Sequence, residues 1–193
     1  ERMKLLKTVL AVSVIAFSAH LNTAVAQAKK EVPAYKILDL PRVDITKFKK
    51  NKAGAYVIFD GTSMEGWRGY DKTVVPKRWV INDGAIQFDS QANVGKEEGG
   101  DLIFAYDFKN FELEMEWKVA KGANSGIFFL AKEVEGQPIY ISSPECQVLD
   151  NENHPDAKMG VDGNRKSTSL YDMIPAKPQN GKPYGEWNKV KIR

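Results

Sequence analysis

Residues 111–119 read FELEMEWKV and alternate strictly between apolar and charged side chains. An alternation with a period of two over nine residues is typical of a half-buried β-strand and argues against an amphipathic helix. The stretch therefore predicts a sheet with one face packed on a core and the other face charged. The side chains expected in that core are Phe111, Leu113, Met115, Trp117, Ile127, Phe129 and Val148.

Short strand patterns separated by turn residues lie on both sides of this stretch. Residues 79–81 and 85–88 flank Asn82-Asp83-Gly84 and predict a tight hairpin, because Asp-Gly readily adopts the positive φ angles of such a turn. A glycine-rich turn is expected at 122–126. The remaining strands are predicted at 56–59, 101–104, 127–131, 139–142, 145–149 and 168–171, with a last one beginning at 187. No segment has a convincing helical stripe, so the chain is predicted to be all-β, as a sandwich or a barrel.

The composition allows one domain of ordinary size and argues against a nucleic-acid partner. The 193 residues carry a formal net charge of +3, which falls to +1 without residues 1–26. A charge this close to neutral provides no electrostatic attraction to DNA or to an anionic membrane. The chain contains neither a glycine-rich phosphate loop nor a dinucleotide fingerprint, so neither a nucleotide nor a redox cofactor is predicted.

The N-terminus has the three parts of an export signal. Lys4 and Lys7 precede an apolar run at 9–19, which is too short to span a bilayer, and small residues at 24–26 follow it. A signal peptide is predicted at 1–26, a tether at 27–54 and the β-domain at 55–193. No cysteine follows the apolar run, so we expect a periplasmic or secreted protein of a Gram-negative bacterium without a membrane anchor.

Beyond the leader the sequence resembles a known family. The resemblance rests on FDGTSMEGW, WVINDGAIQF, NSGIFF, PECQVLDNENHPDAK, SLYDMIPAKP and GEWNKVKI, in this order from about residue 56 to the end. These segments are similar to the 3-keto-disaccharide hydrolase domain family. The resemblance implies a jelly-roll β-sandwich of the concanavalin A-like type, found in legume lectins and laminarinase-type glucanases. It also implies that the domain continues past Arg193, so the chain is expected to be truncated at its C-terminus.

Several residues are candidates for chemistry. The resemblance maps a glutamate and a glutamine of the family onto Glu145 and Gln147 and also indicates Tyr171, with Gln147 and Tyr171 expected to bind substrate. His154 lies in the oxygen-rich run 150–156 and is interpreted as a general base, a metal ligand or a residue of a polar loop. Asn124 is interpreted as a turn residue or as a contact for a sugar hydroxyl.

The charged face of 111–119 has two interpretations. Glu116 and Lys118 either face solvent or line the concave groove of a sandwich. In the second case Lys118 binds substrate, and Glu116 and Glu145 are ligands of a divalent cation such as Ca²⁺ or Mn²⁺. Cys146 is the only cysteine, which excludes an intrachain disulfide and a cysteine zinc site.

Three functions remain open at this point. The resemblance implies cleavage of 3-keto-glycosides. Because a ketone at C3 acidifies the hydrogen at C2, the expected route is proton abstraction at C2, elimination and hydration, with His154 or Glu145 as the base. A non-catalytic carbohydrate-binding module on the same fold is the second hypothesis, because this fold serves both lectins and hydrolases. A conventional glycosidase is the third, and it requires two carboxyl groups about 5–5.5 Å or 6.5–9.5 Å apart.

Overall fold

The computed structural model describes residues 34–193 as eight short strands joined by turns and 3₁₀ segments. The predicted signal peptide 1–26 and the first part of the predicted tether lie outside the described residues. The described part contains no helix long and apolar enough to cross a membrane. The all-β prediction is confirmed. The strands are β1 (Trp67–Gly69), β2 (Trp79–Asn82), β3 (Ala85–Phe88), β4 (Leu102–Phe104), β5 (Leu113–Trp117), β6 (Asn124–Phe128), β7 (Glu145–Leu149) and β8 (Asn188–Ile192).

The strands pair as four antiparallel ribbons, β1 with β4, β2 with β3, β5 with β8 and β6 with β7. The predicted hairpin is present, since Asp83 and Gly84 have φ angles of 49° and 73° and connect β2 to β3. The β5–β8 and β6–β7 ribbons share one apolar cluster. Its members are Trp117, Val119 and Val148, with Ala123, Ile127 and Val190 packed against them.

The alternation predicted for 111–119 is confirmed except at Met115, which is not buried. Trp117 and Val119 are buried, and Glu112, Glu114 and Glu116 are exposed. Met115 was expected in the core, but its side chain is 37% exposed. The other expected core residues follow the pattern to different degrees, with Val148 buried and Phe111, Leu113, Ile127 and Phe129 half-buried.

Three predicted strands are wrong. Residues 56–59 contribute only a bridge from Tyr56 to Lys50. Residues 139–142 form a 3₁₀ helix, Ile139–Ile141, because each of its last N–H groups finds a carbonyl three residues back and no neighbouring strand is available. At 168–171 the chain turns at Thr168, whose φ is 67°, so the segment makes isolated hydrogen bonds to β7 instead of a regular ladder.

The predicted turn at 122–126 is also partly wrong, since Asn124 to Gly126 form the start of β6. Asn124 lies opposite Leu149 and Gly126 lies opposite Gln147 in the β6–β7 register. Pairing with β7 over five residues outweighs the turn preference of Asn, Ser and Gly, because strand propensity depends on what the strand packs against.

A buried ion pair joins β1 to the segment that leads into β7. The guanidinium of Arg68 donates two hydrogen bonds to the carboxylate of Glu133, at 2.6 and 2.7 Å, and both residues are 4% exposed. The backbone N–H of Asp71 donates to the same carboxylate at 2.9 Å. The Tyr70 hydroxyl accepts from the N–H of Val134 at 2.9 Å and lies in the same junction. These bonds fix segments that are more than 60 residues apart in sequence.

We expect Glu133→Gln to lower the free energy of unfolding by about 3–5 kcal/mol, because it leaves the buried Arg68 without its counter-charge. The matched control is Glu135→Gln, which breaks the exposed Lys36–Glu135 pair at 2.8 Å. Exposed pairs contribute about 1 kcal/mol or less, so the control should change stability little. Urea unfolding of both variants measures the difference, and equal losses would contradict a structural role for Arg68 and Glu133.

Candidate active site

A cleft of about 570 Å³ lies beside β7, and four of the predicted site residues line it. These four are Asn124, Glu145, Gln147 and Tyr171. A cleft of this volume falls in the range that binds small molecules in proteins. Its other lining residues are Phe128, Tyr140, Ser143, Pro144, Asp172 and Met173.

Hydrogen bonds along both edges of β7 position its side chains. On one edge β7 pairs with β6 over five residues. On the other, the N–H of Gln147 donates to the carbonyl of Ser169 at 3.0 Å, and the N–H of Tyr171 donates to the carbonyl of Glu145 at 2.9 Å. Neighbouring residues of a strand point to opposite faces. Since Val148 packs in the apolar cluster, Glu145 and Gln147 point away from that cluster and into the cleft.

Among the residues that line the cleft, Glu145 has the most strongly shifted pKa. Partial burial, together with the nearby carboxylates of Asp101 and Asp156, raises its pKa from 4.5 to about 7. Within the described residues no Lys or Arg forms an ion pair with it. A carboxyl group with a pKa near 7 can both accept and release a proton at neutral pH, as general acid–base catalysis requires.

Gln147 lines the cleft and carries a buried donor without a hydrogen-bond partner in the described part of the chain. The side chain is 1% exposed, and its Oε1 accepts a hydrogen bond from the N–H of Val148 at 2.9 Å. Its buried Nε2 has no hydrogen-bond partner among the described residues. Buried amide groups are nearly always paired, so this one is suited to donate to an oxygen of a bound ligand.

A charged network surrounds Tyr171, which lines the cleft. Arg165 donates to Asp156 at 3.1 Å and to Asp172 at 2.8 and 2.9 Å, and its guanidinium carbon lies 5.4 Å from the centre of the Tyr171 ring. Burial and the neighbouring Asp156 raise the pKa of the Tyr171 hydroxyl. At neutral pH this hydroxyl is therefore protonated and can donate a hydrogen bond.

The other predicted site residues do not line the cleft. His154 precedes the 3₁₀ helix Pro155–Lys158, and its Nδ1 accepts a hydrogen bond from the N–H of Asp156 at 3.2 Å as an N-cap. The Nζ of Lys118 lies 4.8 Å from the centre of the Trp187 ring, in a cation–π contact. Glu116 lies on β5, opposite Lys189 of β8.

The structure does not bring Glu116 and Glu145 together. Glu145 lines the cleft, whereas Glu116 lies on β5 opposite Lys189 and is not among the residues that line the cleft. Among residues 34–193 no group of three or more His, Cys, Asp or Glu side chains is placed to hold a metal ion. The residues present therefore do not fit the expected cation site, and the divalent cation stays a prediction from the sequence.

Two carboxylates that act on Glu145 were not among the predicted site residues. The sequence predicts Asp101 as the first residue of the strand 101–104 and Asp156 as a member of the oxygen-rich run 150–156, with no role in the site for either. Asp156 is 8% exposed, and its Oδ2 is buried without a hydrogen-bond partner in the described part of the chain. The density of acidic residues in 150–156 was the available signal for Asp156, whereas nothing local distinguishes Asp101.

We expect the carboxyl group of Glu145 to titrate with a midpoint near pH 7 and Asp101→Asn to lower that midpoint. The substitution removes a negative charge that disfavours ionisation of Glu145, and it keeps the side-chain shape. Carbon-13 NMR of labelled glutamate measures the midpoint. The control is Glu114→Gln, a change on the outer face of β5. A midpoint near 4.5 in the unmodified protein would contradict the predicted environment.

The comparisons with known proteins identify the family. Residues 54–193 match the family described as the 3-keto-alpha-glucoside-1,2-lyase-like domain. A protein of Bacteroides thetaiotaomicron named 3-keto-disaccharide hydrolase is 56% identical over 168 residues, which cover 81% of this chain and 58% of that protein. The chain thus spans less than two thirds of that relative's length.

A solved structure supports the fold. The crystal structure of a provisionally named glycosyl hydrolase of Parabacteroides distasonis ATCC 8503 superposes with a TM-score of 0.59 at 24% identity, over 69% of this chain and 61% of that one. The likeness agrees with the predicted β-sandwich. Because the family match extends over most of its length, the chain belongs to the 3-keto-alpha-glucoside-1,2-lyase-like domain family.

Proposed function

We propose that this chain is the catalytic part of an enzyme that cleaves 3-keto-glycosides such as 3-keto-disaccharides. The relative named 3-keto-disaccharide hydrolase supports this substrate class. The observation that carries the proposal is the half-buried Glu145, whose pKa is raised to about 7 beside the unpaired Nε2 donor of Gln147. A carbohydrate-binding module needs hydrogen-bond donors and aromatic rings, but it has no need of a carboxyl group poised to exchange a proton at neutral pH.

The proposed first step is removal of the C2 proton by Glu145. The ketone at C3 acidifies this hydrogen, because the electron pair left at C2 delocalises onto the C3 oxygen as an enolate. Glu145 is the better candidate of the two predicted bases, because it lines the cleft and Nδ1 of His154 is occupied as a helix cap. A positioned base of this kind typically contributes about 10²–10⁴-fold to the rate.

The developing negative charge on the C3 oxygen requires a hydrogen-bond donor. Nε2 of Gln147 is such a donor, and Glu145 and Gln147 lie two residues apart on the same face of β7, about 7 Å along the strand. This separation allows one group to act at C2 while the other contacts the neighbouring carbonyl oxygen. A donor that is already oriented and buried stabilises such a charge without reorganising in the transition state.

The remaining steps complete the cleavage. The enolate electrons form the C1–C2 double bond as the C1–O bond breaks, and the aglycone oxygen leaves with the proton that Glu145 removed from C2. Water then adds across the C1–C2 double bond: its hydroxyl bonds to C1, Glu145 accepts its proton, and Glu145 delivers this solvent-derived proton to C2. The products are the free 3-keto-sugar and the alcohol, so the overall reaction is hydrolysis. The Tyr171 hydroxyl and the Asn124 amide line the same cleft and can hold sugar hydroxyls.

We expect Glu145→Gln to reduce turnover by about 10²–10⁴-fold, because the amide cannot accept the C2 proton. The assay incubates the full-length protein with a 3-keto-disaccharide in D₂O, and the proposed route places deuterium at C2 of the released keto-sugar. Glu114→Gln is the matched control on an exposed face. His154→Asn, which retains a capping side chain, tests the alternative base and should keep most of the turnover.

Two outcomes would contradict the proposal. Product without deuterium at C2 would exclude the elimination route. Sugar binding without any turnover by the unmodified protein would favour the carbohydrate-binding module instead.

We also propose export to the periplasm, supported by the three-part leader at 1–26. The mature protein is then expected to begin at Gln27 or Lys29, because small residues end at Ala26 and again at Ala28. N-terminal sequencing of the protein from a periplasmic fraction measures the cleavage site. A cytoplasmic protein that retains Met3 would contradict this prediction.

A further inference from the structure

Gly126 lies in the middle of β6, where nothing in its own backbone requires glycine. Its cross-strand partner is Gln147, and its φ angle is outside the left-handed region that favours glycine. Glycine inside a strand weakens the strand, since it adds backbone entropy to the unfolded chain and packs no side chain. Such a glycine commonly marks a place where another group approaches the backbone closely.

The group that approaches Gly126 is the carboxylate of Glu145. A Cβ atom placed on Gly126 would lie 2.5 Å from Cδ and 2.7 Å from Cγ of Glu145, and it would overlap Oε1. All three are side-chain atoms of Glu145, and no backbone atom is among the nearest contacts. The end of the Glu145 side chain therefore lies across β6 in the space that a side chain at position 126 would occupy.

A side chain at position 126 would affect the position of Glu145 much more than it would affect the fold. The overlap involves Cγ, Cδ and the carboxylate of a flexible side chain, which can move away by changing its rotamer. The β6–β7 ladder can keep its register, because the backbone of Gly126 already has an ordinary strand conformation. A methyl group at 126 should thus move the Glu145 carboxylate and leave the strands in place.

We propose that Gly126 is a positioning residue for Glu145, because the missing side chain at 126 provides the space in which the carboxylate is held. This inference rests on the proposed role of Glu145 as the base at C2. Displacing a reacting group by about 1 Å can cost about 10²-fold in rate, so the effect should appear in kcat. KM should change much less, because Gln147, Tyr171 and Asn124 remain in the cleft.

The direct test is Gly126→Ala in the full-length protein. We expect kcat for a 3-keto-disaccharide to fall by about 10²-fold, with a small change in KM and an almost unchanged Tm. The matched control is Gly95→Ala. A Cβ at Gly95 would overlap the carboxylate of Glu97, an exposed residue outside the cleft, and Gly95 has a φ of −61°. This control displaces a carboxylate in the same way and should leave kcat unchanged.

A double-mutant cycle distinguishes positioning from a general effect on the cleft. If Gly126 acts through Glu145, Gly126→Ala should cause little further loss of kcat in the Glu145→Gln background. A crystal structure of Gly126→Ala should show a different Glu145 rotamer on an unchanged β6–β7 pair. Full, additive losses in the double variant would overturn the inference, as would a wild-type kcat in the single variant.

The outcomes also separate this inference from the proposed function. If Glu145→Gln is fully active, the assignment of Glu145 as the base is wrong and the inference fails with it. If Glu145→Gln is inactive but Gly126→Ala retains the wild-type kcat, only the inference about Gly126 is wrong. A fall in Tm of Gly126→Ala together with equal losses in kcat and in sugar binding would indicate a structural role and would overturn positioning.

Discussion

The pairing of β7 along both of its edges is the constraint on which the candidate site depends. β6 pairs with one edge and residues 168–171 hydrogen-bond to the other, so the strand cannot shift its register without breaking both sets of bonds. A shift by one residue would turn Glu145 and Gln147 into the apolar cluster and Val148 into the cleft. Both neighbouring segments also contribute cleft residues, Asn124 and Phe128 from one side and Tyr171 from the other.

Two glutamates of this chain show how the surroundings decide the role of a carboxylate. Burial disfavours the charge of Glu133, but the hydrogen bonds from Arg68 and from the N–H of Asp71 outweigh that effect and lower its pKa. Glu145 experiences burial together with two nearby carboxylates, and its pKa is raised to about 7. The first carboxylate stays ionised and holds two segments together, whereas the second can exchange a proton at neutral pH.

The raised pKa of Glu145 also makes the stability of the folded protein depend on pH. The folded protein holds this proton more tightly than the unfolded chain, in which the pKa is close to 4.5. The contribution of Glu145 to stability is therefore fully present below about pH 4.5 and is lost as the pH rises through about 7. At the pH where the carboxylate can act as a base, it no longer favours folding. Catalytic sites commonly lower the stability of the folded protein in this way, because they keep a charged group available for the reaction.

The sequence by itself determined the strand content around its most regular patterns. The period-two alternation predicted β5, the Asn-Asp-Gly turn predicted the β2–β3 hairpin, and 145–149 matched β7. These predictions succeed because side-chain direction along a strand and the φ preference of a tight turn are local properties. The resemblance to the family placed Glu145, Gln147 and Tyr171 in one site, and all three line the cleft.

Only the tertiary structure decided which distant residues meet. Asp101 acts on Glu145 from 44 positions away in the chain, and Gly126 provides the space for its carboxylate from the neighbouring strand. The same holds for Glu116, whose acidic character was visible in the sequence but whose side chain does not line the cleft. Charge, burial and close approach depend on how strands pack in three dimensions, and a periodic pattern reports only the face on which each residue lies.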